Sequence, residues 1–302
     1  MKKLFMMMLM AATLSQASAQ TQVLNIYKGE NLETALDGRD DDPVWEKVEK
    51  VPLTRVFQSE TPTVEAYFKM FYTDDFLYVY VDVTDDVHFP AWVGKADNER
   101  IQDVQHMFDK AELYFNVNEN LKGGKGPVYD NGYMAPGYYQ VAPYFEESSY
   151  DEPYLLTGLL YGDLSDQIMV CYTLKDDYKS YSMEFEIPLE KFKDDKGEFM
   201  SKDKFLALAD GMGFDMTIVD NDNDGLLRKR LVWNSSAQEA YYNMDDAGVV
   251  KFVDLPVGSG ISQVSLDNGQ PAAVWSLQGI RKEGSKLSRG LYISGGKKVI
   301  IR

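Results

Sequence analysis

The chain has 302 residues, with 48 acidic against 31 basic side chains, a net charge of −17 and a single cysteine, Cys171. An acid excess of this size repels nucleic acid and anionic membranes and suits neutral ligands or metal cations. One cysteine excludes an intramolecular disulfide, so stability must come from a core, and the length allows one large domain with an appendage.

Lys2 and Lys3 precede an apolar run from Leu4 to Leu14, and Ala17-Ser18-Ala19 supplies small residues before Gln20. This is the pattern of a secretory signal peptide over residues 1–19. The run is too short to span a bilayer, and no later stretch is long and apolar enough to do so. No cysteine stands directly after the cleavage point, which argues against a lipid anchor. The mature protein is expected outside the cell or on its surface, with the periplasm left open.

Residues 20–255 read as one body. Leu36-Asp37-Gly38 and Asp41-Asp42-Pro43, followed by Val44-Trp45, read as a turn closed by an aromatic plug. Val64, Ala66, Phe68 and Met70 then alternate with Glu65, Tyr67, Lys69 and Phe71. After Thr73-Asp74-Asp75, Leu77, Val79, Val81 and Val83 alternate with Phe76, Tyr78, Tyr80 and Asp82. A period of two predicts an antiparallel hairpin with one face buried and a tyrosine-rich face outward. Residues 85–104 form a loop carrying Pro90 and Trp92; Trp92 suits a core or a sugar platform equally. His88, after Asp85-Asp86, reads as a surface residue. Arg100 to Met107 and Leu189 to Phe192 are short helical candidates. Strands are expected over 110–118, 153–161, 167–174, 180–187, 213–219 and 228–233. Cys171 lies within one of them as a small buried residue. On 110–118, alternation sends Glu112 away from the core side of Leu113 and Phe115. Residues 119–137 form a second long loop, rich in Gly, Pro and Asn. Trp45 and Trp233 read as core. Many short strands with little helix predict an all-β, antiparallel β-sandwich of immunoglobulin-like or jelly-roll-like architecture.

Asp220-Asn221-Asp222-Asn223-Asp224-Gly225 matches the first half of a calcium loop, with Asp220, Asp222 and Asp224 as candidate ligands. Its twelfth position is Leu231 rather than Glu, so it is not an EF-hand; an acidic turn between two strands fits as well. Residues 256–273 read as a linker, and 274–302 as a small β unit holding seven basic residues and one acidic one.

Taken in order, the turn and plug at 36–45, the hairpin, Asp109-Lys110-Ala111-Glu112-Leu113-Tyr114-Phe115, Glu184-Phe185-Glu186-Ile187-Pro188, Gly213-Phe214, the Asp220–Gly225 run, Arg230-Leu231-Val232-Trp233 and Gly248-Val249-Val250-Lys251-Phe252 resemble the family 9 carbohydrate-binding modules and their relatives over roughly residues 30–254. The resemblance implies a sandwich that binds sugar, often at the reducing end of a polysaccharide, with calcium in some members and no catalysis. It implies a sugar ring held between two tryptophans; here His106 and Tyr241 stand in those places. Tyr241 can stack on a sugar, His106 does so poorly, and Trp92 is the candidate substitute. The strand glutamate that bonds sugar hydroxyls in relatives is kept as Glu112. The arginine expected near Tyr139-Gln140 is absent, which leaves Gln140, with Tyr139 beside it as a further candidate. Chemically, an aromatic platform with a few fixed polar groups suits a pyranose, and Gln140 or Gln238 can both donate and accept. The unit at 274–302 resembles the C-terminal tail of many exported Bacteroidetes proteins, which implies an address read by outer-membrane secretion machinery. From its residues alone it is a hairpin packed on the sandwich.

Three other readings stay open on residues alone. A surface or interaction protein without a sugar ligand fits the absent tryptophans and the Tyr-rich stretch 129–154. A hydrolase acting on O-glycosyl bonds is not separable from carboxylate abundance. A haem-binding sandwich would have only His88 and His106 to offer as histidine ligands.

Overall fold

The computed structural model describes residues 21–29, 36–90, 92–93, 106–117, 122–130, 133–143, 145–146, 154–155, 158–161, 168–194, 196–208, 210–222, 227–256, 274–276, 281–282, 290–294 and 297–301. The strands that carry the domain are β1 (Val23–Lys28), β2 (Glu65–Tyr72), β3 (Phe76–Thr84), β4 (Lys110–Asn116), β5 (Tyr138–Pro143), β6 (Gly158–Tyr161), β7 (Met169–Leu174), β8 (Tyr181–Pro188), β9 (Met212–Asp220), β10 (Lys229–Val232) and β11 (Gly248–Pro256). They hydrogen-bond in the order β7-β8-β3-β2-β1-β11-β9-β4-β5-β6, with β10 beside β9. β1 runs parallel to both β2 and β11, and the other pairings along this path are antiparallel.

The two halves of this path face one another. Phe68 on β2 packs 5.7 Å from Phe214 on β9 and 5.6 Å from Trp233, and Phe115 and Tyr139 meet Phe192 from across the core. Register lines up the inward residues. Phe68 sits opposite Val81, and Val81 opposite Met183; on the other layer Phe115 sits opposite both Phe214 and Tyr139. All of them belong to one buried apolar cluster. The expected all-β sandwich is therefore what the alternation builds, with Trp45, Trp233 and Cys171 buried.

The outward face of the hairpin differs from the sequence expectation. Lys69, Phe71, Tyr78 and Tyr80 are buried beneath Val44 and Trp45. The segment that covers them is held by one buried carboxylate. Glu184 accepts hydrogen bonds from the backbone N–H of Asp37 (3.0 Å) and Gly38 (3.1 Å) and from Trp45 Nε1 (3.0 Å). Lys69 Nζ donates to the Trp45 carbonyl (2.7 Å) and lies 2.9 Å from Asp40. Gly38 has φ +76°, and a Cβ there would meet Thr173 Oγ1 at 2.8 Å, so the turn needs glycine.

Other differences are local. The expected strand over 153–161 divides: Tyr154–Leu155 pairs with β7 at one end of the sheet, and β6 pairs with β5 at the other. Leu189–Lys191 forms a 3-10 turn, as expected of a short helical piece, whereas 100–105 lie outside the described residues. The helix Lys202–Ala207, capped by Ser201 Oγ, is too short to show a period in sequence. Strands Val274–Ser276, Arg281–Lys282, Gly290–Ser294 and Lys297–Ile301 pair with one another in a sheet of their own.

Burial pushes Glu184 up to about 7, against the bonds it accepts. An unfolded glutamate ionises near pH 4.5, so between roughly 4.5 and 7 the unfolded chain binds fewer protons and rising pH favours unfolding. Glu184→Gln should remove this slope. In calorimetric melting from pH 4.5 to 7, the wild-type Tm is expected to fall relative to the variant; parallel curves would refute the assignment.

Candidate functional site

Strand β4 turns Leu113 and Phe115 into the core and Lys110, Glu112 and Tyr114 to the opposite face, the direction alternation gives Glu112. That face is covered: Glu112 is 4% exposed. The cover is the loop after Trp233, anchored by Asp215 on β9. Asp215 accepts from the N–H of Met216, Asn234 and Ser235 and from Ser235 Oγ (2.6 Å). Asn234 Nδ2 and Ala237 N bond to Asp246, which closes the loop on itself. Its far end seats Ala240 and Met244 against Tyr114, Val128 and Tyr138.

Between this loop and β4, β9 and β10 lies a small open concavity. Its lining brings together Glu112, Gln238 and Tyr241, three of the residues expected from sequence, with Tyr114, Thr217, Arg228, Arg230 and Glu239. Glu112 accepts from Tyr114 OH at 2.5 Å and lies 3.4 Å from Lys110 Nζ. Arg230 stacks on Phe57, 3.8 Å from the ring centroid, and bonds both Glu60 and Glu239. Arg228 reaches Glu239 (3.3 Å) and the His106 carbonyl (3.1 Å). Burial opposes ionisation of Glu239, but Arg230 and Arg228 hold its carboxyl below the usual range. Burial lowers Lys110, partial desolvation lowers the largely exposed His106, and Arg228 adds to both. Three cationic and three anionic side chains, Lys110, Arg228 and Arg230 with Glu60, Glu112 and Glu239, are thus engaged among themselves. The cleft offers a neutral, hydrogen-bonding surface with one aromatic wall.

The other expected residues are placed apart from this lining. Gln140 stands opposite Tyr114 in the β4–β5 register, on the same outer face but beside the concavity. Tyr139 points the other way, as a correction to its reading as a site residue: its ring lies 5.1 Å from Phe192 in the core, and its hydroxyl bonds the backbone of Lys193. The period of two forces adjacent residues to opposite faces. His106 is exposed and enters only through its carbonyl. Trp92 lies on a two-residue strand parallel to Phe145–Glu146, with its side chain outside what is described. Sequence reasoning missed Arg228, Arg230 and Glu239. The signal was present in the two-residue spacing of Arg228, just before β10, and Arg230 on it.

A second polar cluster sits where the hairpin ends and β4 begins. Ligand atoms of Asp85, His88 and Asp109 lie within 4.8 Å of one another, as do those of Asp85, Asp86 and Asp222. Asp220 joins them: its Oδ2 accepts from Thr63 N (2.7 Å), while its Oδ1 and Asp85 Oδ2 are buried without a hydrogen-bond partner. Burial pushes Asp85 and Asp109 up to about 7 and Asp220 to about 6. His88 is not a surface residue: its side chain is 2% exposed, with Nε2 3.2 Å from Tyr172 OH and Nδ1 3.3 Å from Asp109. Both ring nitrogens face protein partners, so the groups directed inward are carboxylate oxygens, the donor set of a hard cation. Of the three aspartates singled out in sequence, Asp222 belongs to this cluster and Asp220 shares Thr63 with it, while Asp224 lies outside the described residues.

The family model described as "Carbohydrate family 9 binding domain-like" matches residues 36–255. The chain belongs to that family. Membership places this carbohydrate-binding domain among non-catalytic modules. Two solved structures of a family 9 carbohydrate-binding module from Caldicellulosiruptor kristjanssonii share its fold. The one in complex with cellotriose is 18% identical, with a TM-score of 0.50 over 81% of this chain and 100% of that one. The one in complex with glucose is also 18% identical, with a TM-score of 0.50 over 77% and 96%. Among curated proteins none matches.

Arg230→Met would keep an apolar stem over Phe57 and delete the bonds to Glu60 and Glu239. A loss of about 2 kcal/mol is expected in urea unfolding, since bonds to charged groups are at stake; an unchanged midpoint would show that the network carries no stability.

Proposed function

We propose that this family 9 domain is an exported carbohydrate binder whose cleft between Glu112, Gln238 and Tyr241 takes a neutral sugar. The observation that carries the reading is the convergence of an aromatic wall, a carboxylate and an amide on one charge-balanced concavity. A pyranose presents a C–H face and a rim of hydroxyls. Tyr241 meets the face; Glu112 accepts hydroxyl protons; Gln238 donates and accepts. Among the described residues of the cleft, the self-paired charges leave no free cation to demand an acidic sugar. Cellotriose and glucose in the related structures agree with a neutral ligand. Export rests on the signal-like residues 1–19, and delivery to the outer-membrane route on the resemblance of residues 274–302.

The test is a glycan array followed by calorimetry. Tyr241→Ala should weaken the best ligand about tenfold, and Glu112→Gln about 10–100-fold. Binding untouched by both changes would dismiss this cleft, and no binding to any glycan would favour a surface-interaction role.

In the same reading, Asp85, Asp109, Asp220 and Asp222 hold calcium, with His88 orienting Asp109. The orphaned oxygens of Asp85 and Asp220 support it. Calcium at about a hundred times its Kd should raise the Tm by about 5–10 °C, and Asp85→Asn should abolish the response. Equal Tm with calcium and with chelator would end the proposal.

A further inference from the structure

We infer that Tyr242 and Tyr129 extend the cleft into an open second subsite that holds the next residues of a neutral glycan chain; this rests on the reading of the cleft as a sugar site. Tyr241 forms the aromatic wall. The ring of Tyr242 lies 4.5 Å from it, and Tyr129 lies 5.9 Å from Tyr242. The three rings form one contact series that starts at the cleft lining with Tyr241 and continues through two rings outside that lining. Tyr242 is 59% exposed and Tyr129 40%, which is unusual for rings of this size so close together.

Their positions are fixed by backbone. Val128 N donates to the Tyr242 carbonyl (3.0 Å), Pro127 and Asn243 form a β-bridge, and Met244 N donates to the Gly126 carbonyl (2.7 Å). Tyr242 N donates to the Glu239 carbonyl, which ties the track to the charged wall of the cleft. A tyrosine ring offers an apolar face for sugar C–H groups and a hydroxyl at its tip for the rim, with two torsions to immobilise. The rings are tilted by 46° and 60° to one another rather than coplanar. Such a surface follows a chain whose residues turn relative to each other and does not match a flat crystalline face. The ligand class is therefore a soluble, neutral oligosaccharide of at least two or three residues.

Titration calorimetry with the mono-, di- and trisaccharides of the β-1,4-linked glucose, mannose and xylose series tests this. For the series that binds, affinity should rise about tenfold or more from one residue to three. Tyr242→Ala and Tyr129→Ala should lose that rise and keep the monosaccharide affinity, whereas Tyr241→Ala weakens every length. Both outer rings are exposed, and an unchanged Tm confirms that the variants fold. Affinity independent of length, or a rise that survives both outer substitutions, would make these tyrosines a surface aromatic pair only and leave the cleft standing. No binding at any length in any series would overturn the cleft as well.

Discussion

Four hydrogen bonds converge on the carboxylate of Asp215, and the covering of β4 is arranged around them. Asp215 is fully buried on a strand whose nine positions are all buried. A charged group there is tolerated only because its oxygens are saturated by donors, three of which belong to the loop that covers β4. Remove this carboxylate and the N–H groups of Asn234 and Ser235 lose their acceptor. Glu184 plays the same part on the other layer, where three donors from residues 37–45 bring Trp45 over the hairpin. Each layer of the sandwich is therefore wrapped on its outer side by an irregular segment stapled through a buried acid.

This double covering explains which parts could be read from residues. The inner faces were legible because Phe68, Val79, Val81, Leu113 and Phe115 alternate strictly and have nothing polar to satisfy. The outer faces were not. Tyr78 and Tyr80 look like solvent-facing strand residues until a segment from thirty or more positions away is laid over them. Glu112 was assigned its direction correctly, and its burial depends on a loop more than a hundred residues later. The acidic cluster shows the same limit. Asp220 and Asp222 stand out as a local pattern, whereas Asp85 and Asp109 join them only through the meeting of a hairpin end with a strand start. Tyr139 was placed with its neighbour Gln140, although a strand cannot show two adjacent residues to one face.

The site itself is a compromise between rigidity and openness. Its floor is strand, its polar groups are locked by ion pairs among themselves, and its aromatic wall stands on a hydrogen-bonded loop. Little ordering remains to be done when a ligand arrives, which favours affinity from a few modest contacts. Because the charges already have partners, a neutral polyol can exchange hydrogen bonds with them without breaking a net electrostatic balance.

One pairing bears on how such a domain comes into being. β1, near the start of the described chain, lies between β2 and β11 and matches Val23 to Val249, while Gln22 bonds Trp233 and Asn234. The first strand thus has half its partners only after the last one exists. Contacts this distant in sequence slow folding and postpone closure of the sheet. A ribosome must finish nearly the whole domain before both edges of its first strand are paired.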